Sequence, residues 1–316
     1  MLWFIVRRSL GFLASLFLVS IVIFGMIHFA PGDPLDLIFE GGGRTPEAEA
    51  AMRARYHLDK PIIVQYWYWL SDMVTGDFGR SIAYGQKVST LILSHGSTTL
   101  ALVLYTMVII VTVGMVFGLV SARYPGIVDR SLLVVTGVAT ATPPFVAAVI
   151  LIGVFALGLG WFPTFGEGDG LLDQLHHMTL PAVALAVAYV GMIARVTRMS
   201  VMDELARPHV EVARLRGVGE ATILRRHVLR NAIPPIMTII ATRLGSLIGG
   251  TTVVETAFGI SGLGSLLVRS VARRDFPVIQ AIGLLIVAVF AVALILVDIL
   301  HARMDPRLTL SKARQR

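Results

Sequence analysis

Residues 208–231 read Pro-His-Val-Glu-Val-Ala-Arg-Leu-Arg-Gly-Val-Gly-Glu-Ala-Thr-Ile-Leu-Arg-Arg-His-Val-Leu-Arg-Asn. This basic, helical-looking segment lies between two long apolar stretches. Its chemistry is mechanical, not catalytic. Small residues, Ala213 and Gly217, let a short helix sit close in a partner's cleft. Gly217 can take the left-handed conformation that ends such a helix. The arginines suit a cytoplasmic membrane surface and an acidic partner. The segment thus reads as a place where a membrane protein receives force from a soluble partner. The plainer alternative is a juxtamembrane basic helix that only fixes orientation.

Other residues invite chemical readings. Arg243 stands alone in the middle of an apolar run, where a charge is costly. Such a residue faces a wet cavity or a partner charge, or it snorkels to one surface. The 158–178 loop holds Glu167, Asp169, Asp173, His176 and His177, which could be imagined as a metal site. Adjacent histidines diverge on a helix, and no His-x-x-x-His pair occurs, so metal ligation is not the expectation. Phe258-Gly-Ile-Ser-Gly-Leu-Gly264 imitates a phosphate loop. It lacks the Gly-x-x-x-x-Gly-Lys order, and no Gly-Lys pair exists in the chain. Glu255 precedes this run, which reads as a turn or re-entrant element near the outer mouth. With no cysteine, disulfides, thiolate nucleophiles and Cys-based metal sites are excluded.

The elements that must position these residues are apolar helices. The chain has 316 residues, 55% apolar and 15% charged, which fits a polytopic membrane protein. A spanning helix needs roughly 20 apolar residues. Six candidates occur, at about 10–29, 98–121, 132–157, 180–193 (starting near His177), 233–254 and 278–300. The net charge of +7 could suggest nucleic acid, but its distribution indicates lipid and topology. With the N-terminus inside, seventeen basic residues fall on the cytoplasmic side and nine outside. Both termini are therefore expected in the cytoplasm. Arg7-Arg8 before an apolar run with no Ala-x-Ala site predicts an uncleaved first span.

Prolines and glycines punctuate this plan. Ala30-Pro-Gly-Asp-Pro34 stops the first span. The polar stretch 31–97 carries eight acidic and six basic residues and is too long for a simple connector. Helices are expected near 46–56 and 61–74, with turns at 41–43 and 75–79. The stretch is predicted to be an extracytoplasmic subdomain between helices one and two. Pro143 and Pro144 sit inside span three, predicting either a kink that lines a pathway or a static bend. Gly245, Gly249 and Gly250 are expected to allow close helix contact in span five.

Several of these motifs together resemble one family. Glu211, Ala213 and Gly217 are similar to the Glu-Ala-Ala-x-x-x-Gly loop of ABC importer permeases, with Val212 replacing the central Ala. His227-Val-Leu-Arg-Asn231 followed by Pro234 resembles the dipeptide, oligopeptide and nickel branch. So do Pro31-Gly-Asp-Pro34, Leu58-Asp-Lys-Pro61 with Gln65-Tyr66, and Gly76-Asp-Phe-Gly79. Residues 255–264, Arg274-Asp-Phe-Pro277, Asp298 and Asp305-Pro-Arg307 extend the likeness over nearly the whole chain. An outer subdomain after the first span is characteristic of that branch's B-type permease subunit.

The resemblance implies an all-α membrane protein of the type I ABC importer permease fold, with six transmembrane helices. It divides the chain into 1–30 (first helix), 31–97 (outer subdomain) and 98–316 (permease core, with coupling loop 195–232). It implies a prokaryotic inner or plasma membrane. It also implies as partners a second homologous permease subunit, two ABC ATPase subunits, an extracytoplasmic substrate-binding protein and membrane lipid, with no nucleic acid. ATP and Mg are bound by the partner ATPases, and this chain needs no cofactor, metal or catalytic residue of its own. The absence of a nucleotide loop or intramembrane carboxylate relay agrees with an external motor. Coupling is expected through Glu211, Ala213, Arg214, Gly217, Glu220, His227 and Asn231. Read from the residues and not from the resemblance, the candidate translocation pathway is Arg243, Pro143, Pro144 and Glu255. Arg243, whose family counterpart is more often a neutral polar residue, either meets the carboxylate of a passing peptide or forms a structural pair. Peptide is the expected cargo, chosen on the breadth of the branch, ahead of glutathione, nickel complexes and sugars. Two other classes of protein would read differently. An intramembrane enzyme would show a paired catalytic arrangement within the spans, and a kinase-coupled sensor a larger signalling domain.

Overall fold

A computed structural model describes residues 2–29, 45–55 and 59–304. The 31–34 stop, the 41–43 turn, Tyr56, Leu58 and residues 305–307 lie outside them. In chain order the helices are α1 (Leu2–Phe29), α2 (Pro46–Arg55), α3 (Ile62–Thr75), α4 (Val88–Arg123), α5 (Ile127–Ala141), α6 (Pro144–Leu151), α7 (Leu171–Leu205), α8 (Pro208–Leu215), α9 (Glu220–Thr222), α10 (Leu229–Ala257), α11 (Leu263–Ala272) and α12 (Phe276–Met304). Two wider π turns, Ile152–Gly158 and Ile223–Val228, extend α6 and lead into α10. The expected helices near 46–56 and 61–74 correspond to α2 and α3.

Among the described residues, four helices are long and apolar enough to cross a membrane, and six spans result if each of two bent pairs counts as one. The expected kinked third span is one such pair. Ile127–Ala141 and Pro144–Gly158 meet at 105°. Each arm has 15 residues and is about 22 Å long, short of a hydrocarbon core of about 30 Å. The cause is local. A residue before proline is driven out of the helical region, and here two such residues follow one another. Thr142 has ψ 118° and Pro143 ψ 144°. Pro144 then starts α6 where its missing N–H costs nothing.

Contacts group the chain into two compact units. One is built around Thr98–Gly264. Its centre is α7, packed against α5, α6 and α10. Leu102, Leu185, Ile193, Ile236, Leu247 and Phe258 belong to its continuous buried core. α4 reaches α7 through Gly114 and Gly118. A Cβ on Gly114 would lie 2.8 Å from Ile193, and one on Gly118 would strike Thr197 and the Ala194 carbonyl. This Gly-x-x-x-Gly pair makes a close helix crossing, whereas the surroundings of Gly245 in span five lie outside the described residues. Gly249 has nothing within 4 Å of a Cβ, and Gly250 has only ordinary contact with Leu185.

The other unit comprises Leu2–Ser97 and Ser265–Ala291. α3 packs on α1 through Tyr66 and Trp69 against Phe24, with ring centroids 5.4 and 5.5 Å apart. Buried Asp275, just before α12, accepts hydrogen bonds from the Ser81 hydroxyl and from the Ile82 and Ala83 amides. These bonds fix the 79–88 turn to the start of α12. α4 begins at Val88 and runs 36 residues, so the last part of the expected 31–97 subdomain is the first turns of that helix.

Candidate functional site

Within the 208–231 segment the chain forms the short helix expected there, with one residue facing the other way. Pro208 occupies the first helical position of α8. The helix ends at Gly217, whose φ is +77°. The Gly217 amide donates to the Arg214 carbonyl (2.9 Å) and the Val218 amide to the Ala213 carbonyl (3.1 Å). This pair of bonds is the Schellman closure, and it requires a residue at ease in the left-handed region. Val210 and Ala213 are buried and join the core with Val201, Ile223 and Val228. Ala213 was expected to face a partner's cleft, but it packs inward. Val212 and Leu215 face outward, 45% and 84% exposed. The reason is the helical period: Val210 and Ala213, three apart, share the inner face, and the residues between them turn away.

Charged groups brace this helix. Arg214 Nε donates to Glu220 Oε1 at 2.8 Å across the turn. That hydrogen bond, helped by the charges of Glu220 and Glu211, raises the Arg214 pKa above its ordinary value. Both partners are half-exposed, so the pair contributes little to stability. Glu204, at the end of α7, is more consequential. Its carboxylate is 8% exposed. Oε1 accepts from Asn231 Nδ2 at 2.7 Å and lies 3.2 Å from His209 Nε2, and Oε2 lies 3.2 Å from Arg207 Nε. One buried carboxylate therefore ties the end of α7, the start of α8 and the start of α10. Asn231 also bonds the His227 carbonyl, and the His227 ring stands 6.4 Å from that of His209.

A second brace lies between α5 and α7. Arg198 grips Asp129 in a two-pronged bond of 2.6 and 2.7 Å, and Ser121 donates to the same carboxylate. Sequence reading missed both Glu204 and Asp129. Their signal was present: acidic residues set among arginines on the side expected to be positive.

The pathway candidates are not gathered. Pro143 is exposed and Pro144 half-buried at the break after α5. Arg243 is exposed on α10. Glu255 is fully buried, so it lines no open surface in this conformation. It accepts a 2.7 Å bond from the Thr99 hydroxyl, which itself accepts the Leu263 amide at 2.8 Å. A Cβ on Gly262 would strike the Glu255 carboxylate. Glu255 thus requires a glycine at 262, while Gly259 has φ +62° and a Cβ on Gly264 would strike Thr252. The outer acidic and histidine residues are likewise dispersed. Glu167 accepts the Ser261 amide, His176 meets the Trp161 carbonyl (2.9 Å) and Asp173 lies 3.4 Å from His177.

This helical arrangement is the type I ABC importer permease fold. An inward-facing MetNI methionine ABC transporter structure aligns with TM-score 0.56 at 19% identity, over 68% of this chain and 96% of that one. An amino acid ABC transporter with histidines aligns with TM-score 0.54 at 20% identity, over 68% and 94%.

The family model for binding-protein-dependent transport system inner membrane components matches residues 114–310, and the corresponding N-terminal model matches 1–103. The chain belongs to that family, as an ABC importer permease of the dipeptide/oligopeptide branch. It is 38% identical over 314 residues to the glutathione transport system permease protein GsiC of Escherichia coli strain K12, covering 97% of this chain and 98% of that protein. The same values hold for the GsiC of Shigella dysenteriae serotype 1 strain Sd197. The family is one of transport permeases, not catalysts, and it works in the inner membrane with ATPase and binding-protein partners.

Proposed function

We propose that this chain forms half of the translocation path for small peptides, with glutathione the first cargo to test. An extracytoplasmic binding protein delivers the cargo. A second permease subunit completes the path, and two ATPases, which hold ATP and Mg, drive it. The observation that carries the coupling is α8. It is a short, capped helix with Val212 and Leu215 turned outward, tied by Glu204 to the ends of α7 and α10. A groove on an ATPase that seats this face moves as a rigid body when ATP closes the pair. The Glu204 brace transmits that movement to α7 and α10 together. The bundle then exchanges inward-open and outward-open states, an equilibrium biased by ATP. Residues 195–232 act as the coupling loop, both termini lie in the cytoplasm, and Arg243 faces the path.

The near full-length 38% identity to glutathione permeases supports the cargo. The test reconstitutes the whole importer with its binding protein in vesicles. ATP-dependent uptake of glutathione is compared with that of an unrelated dipeptide, a nickel complex and a sugar. Preferred uptake of glutathione or the dipeptide upholds the reading. Uptake of only the nickel complex or the sugar refutes the peptide assignment and leaves the coupling intact.

A further inference from the structure

α3 lies against the middle of a membrane span. Its Tyr66 hydroxyl is 2.7 Å from Ser20 Oγ, and the Tyr66 ring meets Phe17 and Phe24 at 6.1 and 5.4 Å. All three α1 residues fall inside the apolar stretch Ser9–Met26, of mean hydropathy 2.3. Beside this contact is a groove of about 360 Å³, lined among others by Leu13, Phe17, Leu70, Val74, Leu284 and Ala288. Leu284 and Ala288 belong to a second apolar stretch, Phe276–Ile295, of mean hydropathy 2.9. Two spans therefore wall the groove at depths where the surroundings are hydrocarbon.

Water does not suit this space. A held water needs two to four polar partners. Ser20 is the one polar side chain in the lining, and its hydroxyl is already engaged with Tyr66 and the Phe17 carbonyl. The outer surface of α3 agrees with immersion. Ile63, Trp67 and Val74 form one exposed apolar stripe, 69%, 56% and 79% accessible. Asp72 and Thr75 are exposed on another side, and Ser71 is the one polar position along the stripe. A helix with separate apolar and polar stripes and aromatic residues is suited to lie in a membrane interface.

We propose that the groove between α1, α3 and α12 binds an acyl chain of a membrane phospholipid. α3 is then a bilayer-immersed helix, not part of a water-exposed subdomain. The assignment needs only that α1 and α12 cross the membrane, and it is independent of cargo and coupling.

The complete importer is reconstituted in phosphatidylcholine vesicles doped with a phosphatidylcholine that carries a diazirine at mid-chain. After illumination, adducts located by peptide mass spectrometry are expected to concentrate on Leu70, Val74 and Leu284. They should be denser there than on Leu104 and Val108, which are 57% and 58% exposed on α4. Ala288→Trp fills the groove and should lower the groove adducts several-fold while those on α4 persist. Equal yields in the two proteins, or no enrichment over α4, overturn the site. Cross-linking of the groove to the partner permease also overturns it, because a protein helix then fills the space. If the tryptophan variant fails to assemble, a spin label decides. Val74→Cys in this cysteine-free chain should be open to oxygen and shielded from a water-soluble nickel chelate. Exposure to the chelate equal to that of Lys60→Cys refutes the proposal.

Discussion

Gly217→Val separates two ways in which the coupling segment could depend on a glycine. The position has φ +77°, and a Cβ there would meet nothing within 4 Å. No clash inside the chain therefore adds to the cost. What remains is backbone strain. An L side chain in the left-handed region costs roughly 1–2 kcal/mol, and a β-branched one sits at the upper end. That cost shifts the closed cap of α8 by a factor of about 5 to 30. Asparagine tolerates the same conformation, so Gly217→Asn should keep the cap while adding bulk. The expected order is wild type, then Asn close behind, then Val clearly impaired. The assay measures ATP turnover, cargo uptake and ATPase stoichiometry in the reconstituted importer. If Asn falls as far as Val, the ATPase groove excludes bulk and strain is not the cause. Wild-type turnover and uptake in the Val variant, at unchanged stoichiometry, would refute the coupling role of this segment.

Glu204→Ala removes the common partner of Asn231, Arg207 and His209. Hydrogen bonds to a charged group contribute about 1.5–3 kcal/mol, so thermal unfolding should begin earlier and uptake per ATP should fall. Glu204→Gln, which keeps the bond from Asn231, should be milder. Asp129→Asn leaves Arg198 half-buried without its carboxylate, so thermal unfolding should begin earlier. The double variant Asp129→Asn with Arg198→Met should recover part of that stability, and no recovery would show that the pair is not the cause. Arg243→Ala should reduce uptake while assembly and ATPase docking stay intact, and a failure to assemble would make the residue structural. Single cysteines replacing Ala48 and Gly168 should react with an impermeant thiol reagent in intact cells, and one replacing Glu220 should not. Labelling at Glu220 would reverse the assumed orientation.

Much of the architecture was legible in the chain, because hydrocarbon solvent imposes a length and an apolar composition that a one-dimensional reading detects. The six apolar stretches, the stop at Gly217 and the helical stretches at 46–55 and 62–75 were all visible as local pattern. A left-handed cap needs only a glycine at the right spacing. The tertiary structure decided what depends on distant partners. Glu204 meets Asn231 and Asp129 meets Arg198 across gaps of 27 and 69 residues, and no periodicity encodes such pairings. The prolines at 143 and 144 announced a bend, but the 105° angle follows from two extended residues in succession and from the packing of α6 on α7. Ala213 looked like a docking residue because it is small, and only the folded core showed that its space is filled from within. Glu255 looked like a pathway charge until Thr99 and the glycine turn closed over it. Composition sets the solvent that each helix must meet, and only the assembled neighbours determine which face of a helix meets it.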